Sequence, residues 1–209
     1  TTTTSAFGGG GGVVSGPGGA GASLGGAVFV REGGRLTYRI TSDLQATSGN
    51  SVSLAVSGSG NPEVAGEDLY VMNNVEANFD TTAVGVTAEL TGSIAGAGGL
   101  RKSGPGTLTL SGSNSYTGST VVENDAAGTS TLQGNTNSLQ GDILVESGAA
   151  LRFDQSQAGT YSGAISGVGS IDKQGGGSVT FSGNNSYTGS TTVVQGNLIF
   201  TSSTLPETT

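Results

Sequence analysis

Cysteine and histidine are both absent from the 209 residues, and tryptophan with them. Without thiols the chain has no disulfide and no thiolate chemistry, which suits an exported protein that does not depend on oxidation. Without imidazole there is no Ser-His-Asp catalysis, no histidine proton transfer and no histidine metal ligand. Charge is scarce, at 11% of residues, and its balance is −8, from 15 acidic and 7 basic side chains. The basic residues form no patch; Arg31, Arg35 and Arg39 come closest, and Glu32 interrupts them. Binding to nucleic acid or to an anionic membrane, which requires phosphates to be neutralised, is therefore not expected. No apolar run approaches the roughly 18–20 residues that span a bilayer. No charged-then-apolar signal opens the chain, so an exported form would be read as mature sequence or a fragment.

What is abundant is glycine, 40 residues of 209, against only 4 prolines and 5% aromatics. The glycines keep no three-residue period, which excludes a collagen-like chain. Large side chains are too few for a thick sandwich core, whereas a thin solenoid encloses only a narrow column. The chain is organised around a stretch that occurs twice. GSIAGAGGLRKSGPGTLTLSGSNSYTGST runs from Gly92 to Thr120 and returns as GAISGVGSIDKQGGGSVTFSGNNSYTGST from Gly163 to Thr191 (163 − 92 = 71), with 17 of 29 positions identical. Leu100, Leu108 and Leu110 are answered by Ile171, Val179 and Phe181, so apolar positions stay apolar. Repeated units that bury the same face against a neighbour behave in this way.

The period within the repeat is that of a strand. Leu108 and Leu110 alternate with Thr107 and Thr109, and Val179 and Phe181 with Ser178 and Thr180. Gly104, Gly106 and Gly112, like Gly175, Gly177 and Gly183, mark turns around one short strand. The rest of the chain agrees. Residues 1–26 are Gly- and Thr-rich and read as a flexible arm or an irregular first rung; a β-helix is expected over 27–209. Ala27–Val30, the alternating Leu36, Tyr38 and Ile40, then Val52, Leu54 and Val56, Leu69–Met72 and Val84–Leu90 read as strands. Glu63–Asn78 is the one place where helical spacing can be argued, and Gly66 and Asn73-Asn74 weaken it. Between the copies, Leu132, Leu139, Ile143, Val145, Leu151 and Phe153 are anchors. Gln133-Gly134-Asn135, Gln140-Gly141-Asp142 and Ser147-Gly148 are turns. Asn-Gly and Asp-Gly hairpin pairs are missing, and the repeat is in register with itself, so parallel stacking is expected. Rungs of roughly 20–25 residues give about eight or nine of them, a rod on the order of 40 Å.

The matching positions, Lys102, Gly104, Gly106, Thr107, Leu108, Leu110, Gly112, Asn114, Tyr116, Gly118 and Thr120, resemble the passenger-associated transport repeat of Gram-negative autotransporters. The second copy matches with Lys173, Gly175, Gly177, Val179, Phe181, Gly183, Asn185, Tyr187, Gly189 and Thr191. GGAVFVREGGRLT (25–37) is also similar to early rungs of large adhesin passengers. The resemblance implies an all-β, right-handed parallel β-helix with three short strands per rung, secreted through an outer-membrane barrel of which nothing is seen here. It implies a place outside the cell or on the outer-membrane surface, and a role in adhesion, autoaggregation or biofilm. Partners would then be a host-cell or matrix surface, a glycan, or the chain itself, with no membrane insertion of this segment. The first copy departs from the pattern after Val122, where Glu123–Ala127 reads as a protruding loop.

Two other readings stand beside the adhesin: a subunit that polymerises head to tail into filaments, and a glycan-cleaving enzyme using carboxylates alone. For the enzyme the candidates are Asp142, Glu146, Asp154 and Asp172, and nothing in their spacing makes them converge, so solvated surface acids are the favoured reading. No catalytic or cofactor-binding residue is assigned and no cofactor expected. Glu67-Asp68 and Asp80 offer oxygen ligands for Ca²⁺ without any calcium-binding loop pattern. Tyr116 and Tyr187 read as corner packing in preference to a sugar platform. Asn114 and Asn185 read as positions wanting stacked side chains or left-handed turn angles. Leu205–Thr209 resembles a sortase signal but reads better as a turn into a next rung.

Overall fold

The computed structural model describes residues 28–30, 34–40, 51–52, 64–65, 69–124 and 128–201. Among them there is no helix, and no segment that could cross a membrane as one. Strands alternate inward and outward side chains, as in Glu76–Thr81, where Ala77, Phe79 and Thr81 are buried and the residues between are not. Such half-apolar strands need a neighbour on the buried side. The chain supplies it by winding into a parallel β-solenoid of about six turns, with three faces around one core.

Face one stacks Leu36–Ile40, Glu76–Thr81, Gly99–Ser103, Thr120–Val122, Ile143–Val145 and Ile165–Gly167. Face two stacks Thr87–Leu90, Gly106–Leu110, Ser130–Gly134, Ala149–Asp154, Ser170–Gln174 and Thr191–Val193. Face three begins with Val28–Val30, Leu69–Val71 and Ile94–Ala95 and ends with Gly159–Tyr161, Ser178–Phe181 and Asn197–Phe200. Along face two Ala88, Leu108, Leu132, Leu151 and Ile171 form one buried column, each step a full turn (108 − 88 = 20; 132 − 108 = 24; 151 − 132 = 19; 171 − 151 = 20).

Two turns cross face three without a regular strand. Their connections remain ladder-like: Ser115 N donates to Ile94 O and Thr117 N to Gly96 O. The two-residue alternation of burial also persists there, with Asn114 and Tyr116 inside and Ser113, Ser115 and Thr117 outside. The one antiparallel pair among the described residues, Ser51–Val52 with Val64–Ala65, was not foreseen, since its connection lacks a short hairpin signal.

The two copies of the repeat are not stacked on each other. Ile94 is on face three and its counterpart Ile165 on face one. Gly99–Ser103 is on face one, Ser170–Gln174 on face two. Gly106–Leu110 is on face two, Ser178–Phe181 on face three. The 71-residue step is therefore three full turns plus one face. Leu108, Leu110, Val179 and Phe181 are all buried as expected, but the two pairs occupy different columns. The physical reason is that the three faces demand the same thing of a strand, inward alternation and a glycine corner. In its first copy the repeated stretch itself runs from face three through faces one and two and on round to face one again, more than a full turn.

Other expectations need adjusting. Glu63–Asn78 contains strand, not helix, wherever it is described. The reading of Gln133-Gly134-Asn135 as a turn is corrected: the strand runs through Gly134, and the chain turns at Thr136–Ser138. About six turns are described instead of eight or nine. Residues 1–26, Leu54, Val56, Glu67-Asp68 and Leu205–Thr209 lie outside the described residues.

Candidate functional site

The repeat's signature side chains point inward. Tyr116 and Tyr187 are fully buried; each hydroxyl meets a threonine four residues on, Thr120 Oγ1 at 3.0 Å and Thr191 Oγ1 at 2.9 Å. Tyr116 Oη also accepts from Gln140 N, at 3.3 Å, in the following turn. Burial pushes both phenols above their ordinary value, opposed by the threonine hydrogen bonds. A ring with no exposed face cannot stack on a sugar, so the packing reading holds.

Asn114 and Asn185 are buried and do not have left-handed backbones; among described residues other than glycine that conformation falls to Asn74. Nor do they stack on one another, because they lie on different faces. Asn114 Oδ1 accepts from Ile94 N at 2.8 Å and its Nδ2 donates to Ser138 O at 2.6 Å, so one amide staples three successive turns. Asn185 Oδ1 accepts from Ile165 N at 2.9 Å, while its Nδ2 donates within its own turn to Gly183 O at 3.1 Å. An amide presents donor and acceptor in one plane, which suits a place where the ladder lapses but backbone groups still need partners.

Lys102 and Lys173 are the surprise. Both are essentially without solvent exposure, although lysine is among the least buried residue types. Each stands in a core column directly over a phenylalanine, Lys102 over Phe79 and Lys173 over Phe153. The Lys102 ammonium, with three protons to donate, has four acceptors within reach: Thr81 Oγ1 (2.7 Å), Ser103 O (2.8 Å), Gly104 O (2.8 Å) and Ser130 Oγ (3.1 Å). That of Lys173 donates to the carbonyls of Gln174, Gly175 (2.7 Å) and Gln195 (3.1 Å). Burial draws Lys173 below its ordinary value and the nearby Asp154 carboxylate opposes this. The sequence held one signal for these cations. Lys102 shares strand parity with Leu100, and Lys173 with Ile171, so both belong to the inward set.

The acidic candidates stay apart. Asp142 and Glu146 flank opposite ends of Ile143–Val145 and are exposed; Asp142 Oδ1 accepts from Ala164 N at 2.8 Å. Asp154 ends a face-two strand beside Gln174, and Asp172 pairs with Arg152 at 3.5 Å. None of these four carboxylates is the strand-register partner of another. Asp80 lies 3.4 Å from Arg39. Among the described residues no three His, Cys, Asp or Glu side chains converge on a metal position. On face one Arg101 bridges turns, its Nε 2.5 Å from Glu76 Oε1 and its Nη1 bonded to Glu123. Among the outward positions are short polar residues, Thr107, Thr109 and Gln133 on face two and Thr160 and Thr180 on face three, beside apolar Leu144 on face one and Tyr70 and Ile199 on face three.

Known sequences agree with this geometry. Residues 100–124 and 171–199 match the Passenger-associated-transport-repeat family. The chain is similar to the Adhesin BmaC autotransporter of Brucella suis biovar 1 (strain 1330), at 35% identity over 148 residues, covering 55% of this chain and 4% of that protein. No solved structure matches. The chain thus spans a small fraction of its relative's length. With two stretches that match the passenger-associated transport repeat wound into a β-solenoid, the chain is similar to autotransporter passenger sequence of adhesin-like character.

Proposed function

We propose that this chain is a non-catalytic, surface-displayed segment of a passenger on a Gram-negative bacterium. It would serve adhesion, with autoaggregation and biofilm growth as the same property turned on its own kind. The observation that carries this reading is the direction of the side chains. The repeat's lysines, asparagines and tyrosines are all spent inside. Ligand contact is left to the outward threonines, serines and glutamines. Outer faces that mix short polar residues with exposed Tyr70, Leu144 and Ile199 favour recognition of a broad partner (a host-cell or matrix surface, a glycan, or a second copy) over turnover of a small substrate. The similarity to an adhesin supports the same reading.

The test is binding of the purified chain to host cells, matrix proteins and a glycan panel. It is repeated with residues 123–127 deleted and, separately, with Thr107, Thr109 and Gln133 replaced by aspartate. Binding that falls with an unchanged unfolding midpoint supports the reading. Hydrolysis of any peptide, ester or glycan substrate by pure protein would sink it. A second reading, head-to-tail filaments, draws on the exposed Val193, Val194 and Ile199 of the last described turn. Sedimentation that stays monomeric at high concentration would remove it.

A further inference from the structure

The oxygens around the two buried lysines are arranged as ligands of a cation. At Lys102 two consecutive carbonyls, Ser103 O and Gly104 O, turn inward at the corner instead of into a ladder, joined by hydroxyl oxygens from the turn below, Thr81, and the turn above, Ser130. Thr81 has a single hydroxyl proton and three carbonyls within reach, nearest Pro105 O, so it cannot serve Ser103 and Gly104 as well. At Lys173 the oxygens are three backbone carbonyls, from Gln174 and Gly175 in its own turn and Gln195 in the next.

The two nests share further features. Each follows a Lys-x-Gly corner whose glycine has a left-handed backbone, φ 70° at Gly104 and 75° at Gly175. Each has a carboxylate from the turn below against that glycine: a Cβ there would fall 2.7 Å from Asp80 Oδ1 or 2.8 Å from Asp154 Oδ1. Inward carbonyls with a rim carboxylate form a negative pocket, buried at Lys102 and only partly buried at Lys173, where Gln195 is exposed. Carbonyl rings of this kind replace the hydration shell of a monovalent ion. Ammonium and potassium ions are close in size, and the contacts of 2.7–3.1 Å at Lys102 fit either.

We propose that each nest is a monovalent-cation site that the chain fills with its own ammonium group, and that it takes free ammonium or potassium once the lysine stem is cut back. The lysine acts as a tethered ion. Its charge, not the packing of its methylenes, closes the corner.

The test uses the whole 209-residue chain and its Lys102→Ala, Lys173→Ala, Lys102→Met and Lys173→Met variants. Thermal unfolding is followed in ammonium, potassium, sodium and choline chlorides at equal concentration. The unaltered chain should be indifferent to the cation. The alanine variants should unfold about 3 °C or more higher in ammonium or potassium than in choline, which is too large to enter, and the gain should saturate with concentration. If they are unfolded in choline, folding regained in ammonium or potassium is the same result. The methionine variants fill the space without charge; they should be destabilised and indifferent to the salt. Alanine variants that respond to no cation, or equally to all, or that fold in none of the four salts, would overturn the proposal. So would methionine variants as stable as the unaltered chain.

Discussion

Phe181 offers the sharpest test of the core. It is fully buried on face three, with its ring edge-on to Phe153 at 5.1 Å, to Phe200 at 5.5 Å and, less closely, to Tyr161 at 6.2 Å. Phe181→Ala removes the ring's transfer free energy and leaves a cavity that the stacked backbones above and below cannot close. The expected loss is about 3–5 kcal/mol, toward the upper end because three ring contacts vanish together. For a chain of this size that is a fall in Tm of about 6–20 °C. Phe181→Leu keeps most of the volume and should cost below about 2 kcal/mol. Phe181→Asp separates packing from electrostatics. A carboxyl buried without a partner titrates above its ordinary value of about 3.9, so the folded state binds the proton more tightly than the unfolded one. The variant must then lose stability as pH rises from about 4 toward the raised value, while the alanine variant tracks the parent across the same range. Thermal unfolding at pH 4 and pH 7 decides it. An alanine variant within about 2 °C of the parent, or an aspartate variant with no extra pH dependence, would mean that this side chain is not in the core.

Glycines at the corners should divide into two kinds. Gly163→Ala drives a Cβ into the Gly141 carbonyl beneath it and should cost several kcal/mol, whereas at Gly176 the nearest atom is Gln195 Nε2 at 3.7 Å and alanine should be tolerated; paired Tm measurements show whether the difference exists. Alkali should unfold the chain cooperatively. Burial raises Tyr38 to about 12 and also raises Tyr116, Tyr161 and Tyr187, so their stabilisation is complete below about pH 10 and is lost as pH rises through the window above it, with Lys173 acting in the opposite sense. Phenolate absorbance from these tyrosines should therefore appear together with loss of β circular dichroism, and a smooth titration at pH 10 with the fold intact would contradict their burial. Trypsin should leave Arg101, Lys102, Arg152 and Lys173 uncut, because all four lie within stacked strands. Mass spectrometry should find one resistant fragment that contains all four, and early cleavage after Arg152 would count against the stack.

The strands were legible because the burial alternation of a half-buried strand is written directly in residues such as Leu108, Thr109 and Leu110. Stacking was legible because two copies of one unit, rich in glycine and poor in aromatics, can bury their apolar sides only on neighbours. What the linear offset could not reveal was its angle. Seventy-one residues can be divided into turns in several ways, and only corners of unequal length, such as the 24-residue turn between Leu108 and Leu132, decide which. The buried lysines were hidden by lysine's usual preference for water, although their parity with Leu100 and Ile171 marked them. The roles of Asn114 and Asn185 were missed for a different reason: their partners, the amides of Ile94 and Ile165, are a full turn away and carry no sequence code of their own.

The three-turns-and-a-face spacing of the repeats has a geometric effect on growth by duplication. A solenoid whose repeat equalled a whole number of turns would lengthen like a stack of coins, with every copy showing the same side. Here each additional 71-residue unit would advance the rod by three levels and also swing everything beyond it by a third of a revolution about the axis. Two insertions would point a downstream loop away from both its former directions, and a third would bring it back to its original bearing. Length and azimuth are thereby geared together, so a change in copy number re-aims the distal surface of the rod without altering a single residue on it.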